Sequence, residues 1–352
     1  MSFVEFLKRF FSTKKQYQKS LPDTTKTSLL PTIKKDVWVL SIDGGGIRGI
    51  IPSFVLESLE DTLLKKNGEG NIASYFDLIT GTSTGGLIAL AIAKKNPLSA
   101  REITDLYLHK NNIFFPPAKG FIERLLKEKY SVSPMEDYLN ELFSSNTFEN
   151  LTTNTLILSY DIATDNVFPM SNTETPDFLL RVASRATTAA PTFYKPMKIK
   201  YKEKEYSLID GGVFANNPIL WAYNEAKKLY TNAGRIHILS LGNFRKKPVF
   251  NTESGAFSWL DITKGNLPIY SLYHTAGQDC AEYLAMGIKD LDCIRIEYSS
   301  DKEEGIKMDD TSAFTLNRLS VMGKTVIEEN KKLIDNIADK LISHKKTKNS
   351  IS

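Results

Sequence analysis

Tyr75-Phe76-Asp77-Leu78-Ile79-Thr80 reads as a short apolar strand, and Gly81-Thr82-Ser83-Thr84-Gly85-Gly86 as a sharp turn. Leu87-Ile88-Ala89-Leu90-Ala91-Ile92-Ala93 then reads as an apolar helix that closes at Lys94-Lys95-Asn96-Pro97. A Gly-x-Ser-x-Gly between strand and helix is the setting in which that pattern becomes a nucleophile elbow. The tight turn brings the two backbones together, so Gly81 and Gly85 have no room for a Cβ. It lifts the Ser83 hydroxyl out of the sheet and aims the helix N-terminus at developing negative charge. Without its context the pentapeptide is weak, because Gly and Ser also crowd ordinary loops. With it, the chain reads as a serine hydrolase.

Outward from the elbow, Val37-Trp38-Val39-Leu40-Ser41-Ile42 forms a strand that runs into Asp43-Gly44-Gly45-Gly46-Ile47-Arg48-Gly49. A helix follows, with Ile51, Phe54, Val55, Leu59 and Leu63 on one face. Residues 155–160, 206–209 and 235–241 supply further short apolar strands. Strands alternating with helices predict an α/β fold, a mainly parallel central sheet covered by helices on both faces. From about residue 271 the pattern is mostly helical, ending in 316–341. Three segments follow: a leader and linker over 1–36, a catalytic core over 37–223, and a largely helical completion over 224–352, the place to seek a regulatory region.

A chain of 352 residues, 41% hydrophobic and 24% charged, has the composition of a globular protein able to bury a full core. No apolar run approaches the roughly 20 residues that span a bilayer, and no secretory signal is evident. The two cysteines, Cys280 and Cys293, make no disulfide framework, and no Cys/His spacing suggests zinc. The net charge of +4 is uneven: residues 1–36 carry +5 and the remaining 316 sum to −1. No basic, aromatic-interleaved face argues for nucleic acid. In the leader, Phe3, Val4, Phe6, Leu7, Phe10 and Phe11 recur at helical spacing beside Lys8, Arg9, Lys14 and Lys15. Such a helix either lies in a membrane interface or docks its Phe stripe on protein.

A serine needs a base, an oxyanion site and a pocket. The loop Gly44-Gly45-Gly46-Ile47-Arg48-Gly49 is the oxyanion candidate, since consecutive glycines let backbone N–H groups converge with no side chain in the way. Arg48 either holds that loop or meets an anionic head group. Gly44, Gly46 and Gly49 also fit the dinucleotide fingerprint, but roughly 20 residues on the chain reads Lys65-Lys66-Asn67-Gly68 where an acidic ribose partner belongs. For the base, Asp210-Gly211-Gly212 ends a strand, where α/β sites assemble; an Asp-Gly turn capping its own backbone is the plainer explanation. Of the four histidines, His109 falls in a polar helical stretch, His344 in a frayed basic tail and His237 inside a strand. His274 is the one to test, and residue order allows a Ser83–Asp210–His274 triad. Aspartate's usual pKa is about 2.6 units below histidine's, a deficit of roughly 3.5 kcal/mol, so a Ser–Asp dyad requires a desolvated Asp210.

Together these residues resemble the patatin-like phospholipase family. Asp43 to Gly49, Gly81 to Gly86 and Asp210 to Gly212 are similar to its three motifs in order and context, and Ala183-Ser-Arg-Ala-Thr-Thr-Ala-Ala-Pro-Thr-Phe193 to its stretch ahead of the aspartate. The likeness spans about 37–223, and 308–341 resembles the tails of plant and bacterial members. The resemblance implies that family's three-layer α/β fold, with Ser83 as nucleophile and Asp210 as base. It further implies backbone donors around Gly45 and Gly46, motif glycines at Gly49, Gly81, Gly85, Gly211 and Gly212, and no metal or other cofactor. The expected substrate is a phospholipid or lysophospholipid at a membrane surface, cleaved by a phospholipase A or lysophospholipase reaction, with an acyltransferase or a non-catalytic lipid-binding protein as alternatives. A ligand or protein activator, an oligomer, and a location that is cytoplasmic, peripheral to a membrane or secreted as an effector all stay open. Asn112-Ile113-Phe114-Phe115-Pro116-Pro117 and Phe121-Ile122 either line an acyl channel, touch the bilayer or pack as an ordinary loop.

Overall fold

The computed structural model describes residues 35–67, 70–118, 127–245, 268–300 and 306–349. The Phe-rich leader, most of the linker and Phe121-Ile122 lie outside the described residues. One sheet holds β1 (Lys35–Ile42), β2 (Leu78–Thr82), β3 (Asn154–Asp161), β4 (Asn166–Ser171), β5 (Met197–Tyr201), β6 (Lys204–Asp210), β7 (Ala233–Arg245) and β8 (Leu291–Ser299). The pairs β3–β2, β2–β1, β1–β7 and β7–β8 are parallel. β4 and β6 both run antiparallel to β3, and β5 antiparallel to β6. The sheet is thus mostly parallel, as the alternation of strands and helices predicts.

The helices are α1 (Ile50–Asn67), α2 (Thr84–Ala93), α3 (Ala100–His109), α4 (Ser133–Phe143), α5 (Leu180–Thr187), α6 (Gly212–Ala215), α7 (Ile219–Leu229), α8 (Pro268–Met286), α9 (Ala313–Glu329) and α10 (Lys331–Asn349). Side chains alternate across a strand, so a strand covered on both sides is apolar throughout. β1 shows it: Trp38, Leu40 and Ile42 enter one buried cluster, Val37 and Val39 the other. The first cluster takes residues from α1 to α5, α9 and α10, the second from α6, α7 and α8. This is a three-layer α/β fold. α2 is buried at every position because it packs under the sheet's centre.

The sequence pattern misses β4, β5 and β8. β8 interleaves Asp292, Arg295 and Glu297 with its apolar residues, and those charges hide the strand. The segment 316–341 is two helices, broken at Asn330, whose side chain turns back to donate to the Val326 carbonyl at 2.8 Å. His344 is no part of a frayed tail: it belongs to α10, and its largely covered side chain puts Nε2 2.7 Å from Asp77 Oδ2. His237 does lie in a strand, stacked on Trp38 with its ring nitrogens 3.2 Å from an Asp36 oxygen and 3.1 Å from an Asp292 oxygen, and His109 is exposed on α3.

Candidate active site

The sheet register assembles the site. Thr82 at the end of β2 lies opposite Leu158 of β3, and the next β3 residue, Ser159, lies opposite Asp210 at the end of β6. Ser83 and Asp210 therefore leave their strands against neighbouring residues of β3. On the other side Ile42 is opposite Gly81, which brings the loop after β1 beside the elbow. All three motifs meet at one end of the sheet, where ligands of open α/β folds bind.

Ser83 adopts φ 55° and ψ −123°, a conformation rare for a residue with a side chain. A Cβ on Gly81 would fall 2.3 Å from the Gly85 carbonyl oxygen, and one on Gly85 2.2 Å from that of Ile42. Strand and helix touch there, which is why the elbow needs both glycines. The Ser83 N–H donates to Thr187 Oγ1 at 2.9 Å, and that hydroxyl donates to the Leu158 carbonyl at 2.6 Å. The strained turn is thereby tied to the stretch that precedes the aspartate motif.

Ser83 and Asp210 line the same cleft, and the nearby Ser83 hydroxyl favours the ionised Asp210 carboxyl. Asp210 Oδ1 accepts the Gly212 N–H at 2.7 Å, and its own N–H donates to the Ala189 carbonyl at 3.1 Å. Burial pushes the Asp210 carboxyl up to about 7, because a charge enclosed by apolar groups is costly and the Gly212 N–H and the nearby Ser83 hydroxyl only partly offset that cost. Gly211 packs against the Leu158 carbonyl, where a Cβ would come within 2.5 Å.

In the loop after β1, the Gly44 N–H is taken by the Asn216 carbonyl at 3.1 Å and that of Ile47 by Met308 at 2.8 Å. Among the described residues the N–H groups of Gly45 and Gly46 have no partner. Gly46, at φ +60°, sits in the left-handed region, with the Met308 carbonyl where a Cβ would be. Arg48 Nε donates to the Gly45 carbonyl at 3.1 Å, so this side chain holds the loop. Gly49 packs on Thr84. Asp43, fully buried, forms a bidentate pair with Arg295 of β8 at 2.9 and 2.6 Å. Desolvation pushes its carboxyl up, and the guanidinium opposes this.

A cleft opens over Ser83 and Asp210. Leu87, Phe114, Phe115, Met135, Phe193 and Tyr194 form its apolar wall, so two phenylalanines of the 112–117 stretch line it. His274 lines it too, and burial together with the Arg48 charge pushes its imidazole down to about 3. Among the described residues no cluster of His, Cys, Asp and Glu could hold a metal, and no helix is long and apolar enough to cross a membrane. Sequence reasoning missed Asn243, Arg295 and Met308. A polar residue just past an apolar strand, such as Asn243 after residues 235–241, is the one signal that was available.

A family model described as patatin-like phospholipase matches residues 40–223. Patatin-like protein 2 of Oryza sativa subsp. indica is 29% identical over 357 residues, covering 88% of each chain. Patatin-like protein 2 of Arabidopsis thaliana is 31% identical over 350 residues, with 86% of this chain and 85% of that one covered. The crystal structure of VipD from Legionella pneumophila aligns at a TM-score of 0.42 and 13% identity, over 84% of this chain and 67% of the other.

Proposed function

The chain belongs to the patatin-like phospholipase family, and on that premise we propose that it hydrolyses acyl esters of glycerophospholipids through a Ser83–Asp210 dyad. The observation that carries this reading is the convergence of a strained, elbow-mounted serine and a buried carboxylate in one apolar cleft.

Asp210 accepts the Ser83 proton as Oγ attacks the ester carbonyl. The oxyanion of the tetrahedral intermediate is received by the Gly45 and Gly46 N–H groups, each such donor being worth about 3–4 kcal/mol of transition-state stabilisation. Collapse breaks the ester C–O bond, and the departing lysolipid alcohol takes the proton from Asp210. Water then attacks the acyl-serine with Asp210 again as base, releasing the fatty acid and restoring the serine. The apolar wall supports an acyl chain as the group bound in the cleft.

The choice of base rests on relative basicity. Isolated histidine is the stronger base, but in this cleft the order is inverted, with Asp210 near 7 and His274 near 3. A general base works best with a pKa near working pH.

Labelling with a fluorophosphonate and mapping the adduct by mass spectrometry tests the nucleophile. A single adduct on Ser83, absent in Ser83→Ala, is expected. An unlabelled Ser83 in folded protein, or an adduct elsewhere, contradicts the reading.

A further inference from the structure

β7 loses register with β8 between Leu241 and Phe244, so Gly242 and Asn243 fall in a bulge at the end of the strand beside the oxyanion loop. Bulges re-aim side chains, and this one turns Asn243 inward, leaving it 6% exposed. Its Nδ2 donates to the Gly44 carbonyl at 2.7 Å. Its Oδ1, in contrast, is buried with no partner among the described residues. A half-satisfied buried amide costs stability relative to an apolar side chain of the same size. Stability therefore does not explain an asparagine here.

Orientation does. A peptide unit is planar, and in the trans form its N–H points opposite to its C=O; the described chain contains no cis bond. Pinning the Gly44 carbonyl on Asn243 thus turns the Gly45 N–H away from β7. Gly45 lines the cleft and Asn243 does not, so away from Asn243 is toward the cleft. Arg48 does the same for the next unit, because its Nε on the Gly45 carbonyl turns out the Gly46 N–H. The two side chains aim successive donors. The fit is mutual: a Cβ on Gly45 would lie 2.6 Å from the Asn243 amide.

We propose that Asn243 is a positioning residue of the oxyanion site, fixing the Gly44–Gly45 peptide so that the Gly45 N–H faces the oxygen of the tetrahedral intermediate. This rests on the dyad hydrolase reading above. Asn243 touches no substrate atom. It acts only when charge develops on the carbonyl oxygen, so its loss falls on kcat and spares KM.

The test uses the full chain as wild type, Asn243→Ala and Asn243→Asp, with melting temperature confirming that each is folded. Ala removes both amide atoms, including the unpartnered oxygen, and Asp, assayed at a pH where it is ionised, removes the donor at nearly constant shape, so misfolding of one leaves the other to decide. Fatty-acid release and fluorophosphonate labelling of Ser83 are measured together. The expected result is a kcat lower by about 10- to 100-fold, KM within about threefold, and labelling slowed in parallel, part of what one lost donor costs. A folded variant with wild-type kcat, or a loss confined to KM, overturns the inference while leaving the hydrolase reading intact. A wild type that neither releases fatty acid nor labels at Ser83 overturns both.

Discussion

Ser83 and Asp210 leave their strands against neighbouring residues of β3 and line one cleft, which His274 also faces with its imidazole pushed down to about 3. A carboxyl pushed up to about 7 is half protonated near neutrality and accepts a proton only when ionised. The rate, as kcat/KM, should therefore rise with pH, tenfold per unit below about 7, and level off above it. A flat profile between pH 5 and 8 would show that Asp210 is not the titrating base. An inflection near pH 3 alone would implicate His274 instead.

The same burial makes Asp210 a stability liability. Its folded pKa near 7 lies above the usual aspartate value of about 3.9, so its favourable contribution is intact below about pH 4 and is lost as pH rises through 7. Asp210→Asn, which keeps an acceptor for the Gly212 N–H, escapes that loss. Relative to wild type the variant should gain up to about 4 kcal/mol between pH 4 and 8, measured by urea unfolding at several pH values. A difference independent of pH would mean that the wild-type carboxyl is not raised.

Arg295 holds Asp43 from the adjacent strand end, and Arg295→Met leaves that carboxyl buried without its cation. Removing one partner of a buried pair costs about 3–5 kcal/mol. Without the guanidinium, the desolvation that already raises the Asp43 pKa loses its main opponent and only Arg245 still counters it, so the variant should lose stability as pH rises. Denaturant midpoints at pH 5.5 and 8 check this, with the larger deficit at pH 8. An equal deficit at both would show that Asp43 does not titrate with the pair.

The opposite end of β2 carries a pair of different character. Burial pushes Asp77 up, but His344, the Trp38 N–H and Lys348 more than offset it and hold the carboxyl below its usual range. A lowered carboxyl contributes stability above about pH 4 that is lost as pH falls through its folded pKa. Asp77→Ala should cost about 3 kcal/mol at pH 7, less in acid, with kcat unchanged in folded protein. A kcat loss without a stability loss would contradict a purely structural role.

The three glycine-rich motifs were legible because each has a local cause: a Cβ cannot fit between touching strand and helix, or φ is positive. The central strands were legible because burial on both faces makes them continuously apolar, as in β1. What stayed hidden depends on distant residues. Nothing near Asn243 says that a bulge turns it onto Gly44. Nothing near Arg295 says that it crosses to Asp43, 252 residues away, and the same charges hid β8 within a stretch read as mostly helical. His344 looked like part of a solvated tail because its buried partner, Asp77, precedes it by 267 residues. The generic rank of histidine over aspartate as a base also misleads, because burial sets the two pKa values and sequence does not display burial.

Fatty-acid release from mixed phospholipid vesicles by wild type, Ser83→Ala, Asp210→Asn and His274→Ala in parallel tests the dyad most directly. Release by wild type and by His274→Ala to within about tenfold, with none from the two dyad variants, is the predicted result. Folded His274→Ala as inactive as Asp210→Asn, or release persisting in Ser83→Ala, would contradict it.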